Sequence, residues 1–335
     1  MSDTFAFPTS DGASIEVYRW LPEGQPKAVL QIEHGASEHA GRYARLAAFL
    51  NPHGYAVYAD DHRAHGRTAG DLERFGLAPE GSWDRILQDT RELTEHLAAT
   101  HPGVPLVLLG HSMGSFIAQG YLQRFGNEMR SSGLIAAVLT GTAGSPSPQS
   151  EGLRERIEAA VAEEGRDVPS MTFAMLFADF NDPFTDTAPE SGPTGFEWLS
   201  RDPEEVQRYV DDPWCGLPLS NGFVADLAVG MEEMWEEGAE ERLPKDVPVL
   251  IMAGDKDPVG ESGENVRGLT QRYRAAGIDT TEILYEGARH EIFNETNRDQ
   301  VHQDLLAWLD GVVAARQGAS AGAAAADGPA TPPAT

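Results

Sequence analysis

Apolar residues in this chain gather into short unbroken runs, and between the runs they recur every three or four positions. Ala28-Val29-Leu30-Gln31-Ile32, Tyr55 to Ala59, Leu106 to Leu109, Leu134 to Leu139, Val247 to Met252 and Thr281 to Tyr285 are such runs. Each has the length and texture of a strand buried on both faces. The intervening segments read as helices. One lies near Tyr43 to Asn51, and one spans about Ser82 to Thr100 with Ile86, Leu87, Leu93 and Leu97 on one face. Another follows Leu109 and runs to about Gly126. The last places Val301, Leu305, Trp308, Leu309 and Val312 at helical spacing. Thr4 to Leu21 reads as a hairpin turning at Asp11-Gly12. Strands that alternate with helices predict an α/β fold, a mostly parallel sheet covered on both faces.

The alternation breaks once. From Ser145 to Leu243 the apolar residues form helical stripes, such as Phe223, Leu227, Met231, Met234 and Trp235, and the crowded segment Met171 to Phe180. An insert of this length between two core strands is expected to form a helical cap over the strand ends. The organisation expected is therefore a first core segment at 1–144, a cap at 145–243 and a second core segment at 244–317. The Ala/Gly/Pro/Thr-rich stretch 318–335 is expected to be a disordered tail.

Composition narrows the picture further. The 335 residues are 41% hydrophobic, enough for a large core. A single cysteine, Cys215, excludes an intramolecular disulfide framework. The opening residues show no basic and apolar leader pattern, and no run is long enough to span a bilayer, so a cytoplasmic protein without stable membrane insertion is expected. A net charge of −28 repels phosphate backbones, which excludes nucleic acid as a partner.

Chemistry enters at Gly110-His111-Ser112-Met113-Gly114, between the Leu106 strand and the helix after it. A serine flanked by glycines two positions away on each side, at a strand-to-helix turn, has the form of a nucleophile elbow. The turn is too tight for side chains at the flanking positions, and it lifts the hydroxyl above the sheet. An activated serine needs a base, and the base needs an orienting acid. His290, in the loop before the last helix, and Asp257, just past the Val247–Met252 strand, follow in the order serine, acid, histidine. Asp255 is the local competitor for the acid. The amides of Met113 and Ala36 are the expected oxyanion-hole donors, Ala36 lying in the loop His34-Gly35-Ala36-Ser37.

These motifs carry a resemblance. His34-Gly35-Ala36-Ser37-Glu38-His39-Ala40-Gly41-Arg42-Tyr43 resembles the oxyanion loop of monoacylglycerol lipases, and Asp61-His62-Arg63-Ala64-His65-Gly66-Arg67-Thr68 is similar to the loop after the fourth strand in that family. The elbow and the Asp257 and His290 segments match in the same order, across roughly Gln25 to Asp310. The cap segments Phe196 to Asp202 and Asp212 to Gly216 resemble those of lysophospholipase-like hydrolases. Ser115 and Ala64 depart from the pattern, each standing where the family often carries glycine. The resemblance implies an α/β-hydrolase fold and a small-molecule acyl ester substrate, monoacylglycerol- or lysophospholipid-like. It implies cleavage by Ser112, His290 and Asp257 through an acyl-enzyme, with no metal or organic cofactor. An aminopeptidase of the proline iminopeptidase type shares the fold and triad, and a non-catalytic binding protein on the same fold is the third reading. His34, His39, His53, His62 and His65 suggest metal, above all His62-x-x-His65. Loop hydrogen bonding is the expected explanation for them.

Overall fold

The computed structural model of the chain describes residues 3–146, 152–187 and 192–326. Eight strands form one sheet in the order β1-β2-β4-β3-β5-β6-β7-β8. They are β1 (Asp3–Pro8), β2 (Ser14–Trp20), β3 (Ala28–Glu33), β4 (Tyr55–Asp60), β5 (Leu106–His111), β6 (Leu134–Thr140), β7 (Val249–Gly254) and β8 (Thr280–Tyr285). The hairpin β1–β2 is antiparallel and β2 joins β4 antiparallel; every other pairing is parallel. Every residue of β3, β4, β5, β6 and β7 is buried, which is why the sequence shows them as continuous apolar runs.

Helices cover both faces: α1 (Ala44–Leu50), α2 (Ser82–Thr100), α3 (Met113–Met129), α8 (Glu264–Ala275) and α9 (Arg298–Ala326). Between β6 and β7 the described residues contribute helices and no strand: α4 (Leu153–Glu164), α5 (Met171–Asn181), α6 (Pro203–Asp211), α7 (Asn221–Met234) and short 3₁₀ turns. The stripe at Phe223 is the inner face of α7, with Phe223 and Leu227 buried.

Three differences from the sequence reading have physical causes. Helix α3 continues past Gly126 to Met129, because Gly126 is buried against Pro244 and packs there rather than ending the helix. Helix α8 has no counterpart in the sequence reading; Asn265 and Thr270 are buried beside Val266, Leu269 and Tyr273, which breaks its apolar stripe. Finally, α9 extends through Ala326, whereas a disordered tail is expected from Gly318. Alanine is the strongest helix former, so the run Ala323 to Ala326 favours continuation of the helix. Residues 327–335 of that expected tail lie outside the described residues.

Candidate active site

Ser112 sits at the junction of β5 and α3 with φ +52° and ψ −121°. That conformation is costly for a residue with a side chain, and the surroundings over-determine it. A Cβ on Gly110 would lie 2.2 Å from the Gly114 carbonyl oxygen, and one on Gly114 would lie 2.0 Å from the Glu33 carbonyl oxygen. The elbow can therefore close only with glycine at both places. Its N–H donates to the Thr140 carbonyl at 2.9 Å, so β6 holds the turn down. Ser115 fits because its hydroxyl donates to the Ser112 carbonyl at 2.6 Å and meets the Thr142 hydroxyl at 2.8 Å.

Asp257 and His290 come together at the ends of β7 and β8. His290 Nδ1 lies 2.9 Å from Asp257 Oδ1, and both residues are buried. Asp255, the alternative acid, instead accepts the Gly287 N–H at 2.7 Å. Burial opposes charge on His290, but the Asp257 carboxylate outweighs it and raises the imidazole above its usual range. The His290 ring stands 4.8 Å from that of His111, the residue before Ser112.

The loop after β3 carries Ala36, and three successive peptide units of that loop are pinned. His34 Nδ1 donates to the Gly35 carbonyl at 2.7 Å. His65 Nε2 accepts the Ser37 N–H at 3.3 Å. The Ser37 carbonyl accepts from the Tyr209 hydroxyl at 2.7 Å and from the Gly216 N–H at 2.9 Å. The Gly35 N–H is occupied as well, by Glu38 Oε1 at 2.6 Å. In a trans peptide the N–H points opposite to the C=O, so anchoring the Gly35 carbonyl also aims the Ala36 N–H. No acceptor for the Ala36 N–H is found among the described residues. Met113 opens α3, and an N–H in a first helical turn has no partner inside the helix. A Cβ on Gly35 would be 3.1 Å from Ser112 Cβ, which is how close this loop approaches the elbow.

The histidine-rich loops follow from the same hydrogen bonding. His65 is neutral, burial pushing it down to about 3; its Nδ1 faces the Arg63 carbonyl and leaves Nε2 free to accept. His34 is neutral too, lowered by burial and by the charge of His62, and its Nε2 accepts the His62 N–H at 3.0 Å. His62 is the charged member. Burial disfavours its charge, yet Asp60 and Glu33 hold it up at about 9. Its Nδ1 faces Asp60 at 3.2 Å and its Nε2 faces the His34 carbonyl at 3.2 Å.

Two groups bring three metal-ligating side chains within reach of one another: Glu33, Asp60 and His62, and His39, Asp212 and Cys215. In the first, both His62 nitrogens carry protons, so neither offers a lone pair. In the second, burial pushes the Cys215 thiol far above its usual range and His39 Nδ1 accepts the Gly41 N–H at 3.2 Å. Neither donor set suits a cation.

The chain's insert supports both halves of the site. The carbonyls of Trp198 and Leu199 accept the N–H groups of His290 (3.3 Å) and Glu291 (2.8 Å), and the Trp198 ring stands 4.7 Å from that of His290. Arg42 joins the two loops, donating to Glu38 at 2.6 Å and, through both terminal nitrogens, to Glu291 at 2.6 and 2.7 Å. Beside Ser112 opens a cavity walled by Phe116, by Phe173, Leu176, Phe177 and Phe180 of α5, and by Val224, Leu227 and Met231 of α7. Ser112 and Ser145 are the polar residues of its lining.

Comparison with known proteins agrees with this architecture. The chain is 30% identical over 307 residues to a monoacylglycerol lipase of Mycolicibacterium smegmatis, covering 91% of this chain and 95% of the relative. It is 28% identical over 305 residues to the human monoglyceride lipase, covering 90% and 88%. Among solved structures, a thermostable carboxyl esterase from Bacillus coagulans in complex with glycerol superposes with a TM-score of 0.83 at 28% identity, covering 93% of this chain and 99% of that one. The family model described as serine aminopeptidase, S33, matches residues 24–297, and the chain belongs to that family of α/β-hydrolases.

Proposed function

We propose that the protein is a serine hydrolase of carboxylic esters, acting on monoacylglycerol-like lipids. The observation that carries this reading is the cavity beside Ser112, apolar along its walls and free of charged side chains among the described residues. It suits a hydrocarbon chain and offers nothing to hold a free amine. An aminopeptidase, by contrast, needs a carboxylate close to the nucleophile. Met171 and Met175, 66% and 64% exposed on the outer face of α5, make that helix apolar on both sides, as suits a substrate drawn from a lipid phase.

In this reading His290 takes the proton of Ser112 as the hydroxyl attacks the ester carbonyl. Asp257 holds the imidazole in the Nδ1–H tautomer and stabilises the imidazolium that forms. The amides of Ala36 and Met113 receive the negative charge that develops on the carbonyl oxygen. His290 then protonates the departing alcohol, and a water activated by the same histidine releases the fatty acid. The names of the lipase relatives support the substrate class.

The test compares hydrolysis of a short acetyl ester with that of a long-chain monoacylglycerol, using Ser112→Ala as the blank. Faster serine-dependent turnover of the long chain is expected. Release of proline from an aminoacyl amide, with esters ignored, would overturn the proposal in favour of the peptidase.

A further inference from the structure

We propose that Tyr209 is a positioning residue for the oxyanion hole, so that the hole is complete only while the insert is seated on the core. The proposal rests on the hydrolase reading above and adds a dependence that reading does not require.

Two of the three pins on the oxyanion loop come from the loops that follow β3 and β4, through His34 and His65. The third comes from the insert. The Tyr209 hydroxyl donates to the Ser37 carbonyl, and the Gly216 N–H is shared between that carbonyl and the Tyr209 oxygen, 3.1 Å away. Ser37 needs restraint because its φ is +56°, a conformation a serine leaves readily when released. If the Ser37 carbonyl is released, Ser37 can leave its left-handed conformation, and the bond from its N–H to His65 is strained. The Ala36 N–H, two peptide units upstream, then keeps only the Gly35 carbonyl anchor to hold its aim.

Tyr209 is buried at the end of α6, and nothing in its surroundings lets it act alone. The Arg42 guanidinium lies 4.8 Å from its ring centre, and the Phe196 ring lies 4.9 Å from it. Arg42 in turn binds Glu291, whose N–H is held by Leu199 of the insert. The polar contacts thus form a closed ring running from Ser37 to Tyr209, Arg42, Glu291 and Leu199, then back along the insert. Both the oxyanion loop and the histidine loop hang from one stretch, residues 198–216. Lifting that stretch would release the Ser37 carbonyl from the first and the His290 and Glu291 N–H groups from the second.

The experiment replaces Tyr209 with phenylalanine, which keeps the ring and removes one oxygen. Activity is measured on p-nitrophenyl butyrate, together with the affinity for an alkyl trifluoromethyl ketone, whose adduct with the nucleophile carries the oxyanion. Removing a hole donor outright typically costs about a hundredfold or more, so mis-aiming one is expected to cost roughly tenfold in kcat. KM should stay within about twofold, and ketone affinity should fall by the same factor as kcat/KM. Val206→Ala, a packing change in the same helix, is the control: it should lower Tm and leave kcat intact. If Tyr209→Phe lowers Tm as the control does while kcat and ketone affinity are unchanged, Tyr209 is merely structural and the proposal fails. Should that variant not fold, Asp212→Asn weakens the adjacent insert contact to His39 Nε2, 3.0 Å away, and is read by the same criteria. The two readings separate cleanly. A parent chain that turns over no acyl ester defeats the hydrolase reading, whereas an active parent with an unaffected Tyr209→Phe defeats only this one.

Discussion

Replacing Arg42 with methionine is expected to destabilise the protein by about 3–4 kcal/mol at pH 7 while keeping most of the packing volume. Among the described residues the guanidinium is the one cation bonded to the carboxylates of Glu38 and Glu291, whose side chains are 4% and 5% exposed. Burial drives the Glu291 carboxyl up, and Arg42 more than reverses this, holding it at about 2 against 4.5 for a free glutamate. At about 1.4 kcal/mol per pH unit, that difference corresponds to roughly 3–4 kcal/mol of stabilisation. It matches the lower end of the range of about 3–5 kcal/mol measured when one partner of a buried pair is removed. Without Arg42, Glu291 keeps the Asn294 amide at 2.9 Å as its side-chain hydrogen bond among the described residues, while Glu38 retains the Gly35 N–H and the Tyr43 hydroxyl at 3.0 Å. Urea unfolding at a series of pH values reads the effect. Because the folded-state value is depressed, the contribution is present above about 4.5 and fades as pH falls towards 2. The gap between parent and variant should therefore be full at pH 7 and shrink below pH 4.5. A loss under about 1 kcal/mol, or a gap equal at pH 7 and pH 3, would refute the assignment of that energy to the buried ion pairs.

Three other outcomes follow from the geometry. Gly114→Ala should give no stably folded protein, since its Cβ would strike the backbone of Glu33, which has no room to retreat; a Tm within a few degrees of the parent would contradict this. As the proposed base, His290 would act only when neutral, so kcat/KM should rise with pH through a midpoint above 6.5, held there by Asp257. Asp257→Asn should lower both the midpoint and the rate, and a pH–rate profile with an unmoved midpoint would separate Asp257 from the histidine. Cys215 is buried with its thiol pushed far above the usual range, so a thiol reagent at pH 8 should label it only in denaturant. Labelling of the native chain would show that the insert opens around it.

Much of this molecule is legible in its sequence, and each part that is not has a physical reason. Strands β3 to β7 announce themselves because burial on both faces demands apolar residues throughout. The elbow is equally visible, since sterics require glycine at Gly110 and Gly114 whatever the rest of the chain does. Pairings between distant residues leave no such local mark. Arg42 meets Glu291 across 249 positions and Tyr209 meets Ser37 across 172, and no periodicity connects them. That His34, His62 and His65 hold loops by hydrogen bonds was legible, but which nitrogen of each carries a proton was not, because spacing alone does not reveal it. Helix α8 was hidden by its buried polar residues, and the extension of α9 by the usual association of alanine and glycine with disorder.

The backbone of Ser112 has an evolutionary corollary. Its torsions belong to a region where glycine is at ease and serine is strained by about 1–3 kcal/mol. Glycine in its place would recover part of that energy, less roughly 0.4–1 kcal/mol for a looser unfolded chain. Position 112 is thus a point where turnover and thermodynamic stability are opposed. In a lineage freed from selection for activity, drift at this site would be favoured rather than merely tolerated, and the proposed nucleophile would be among the first residues lost.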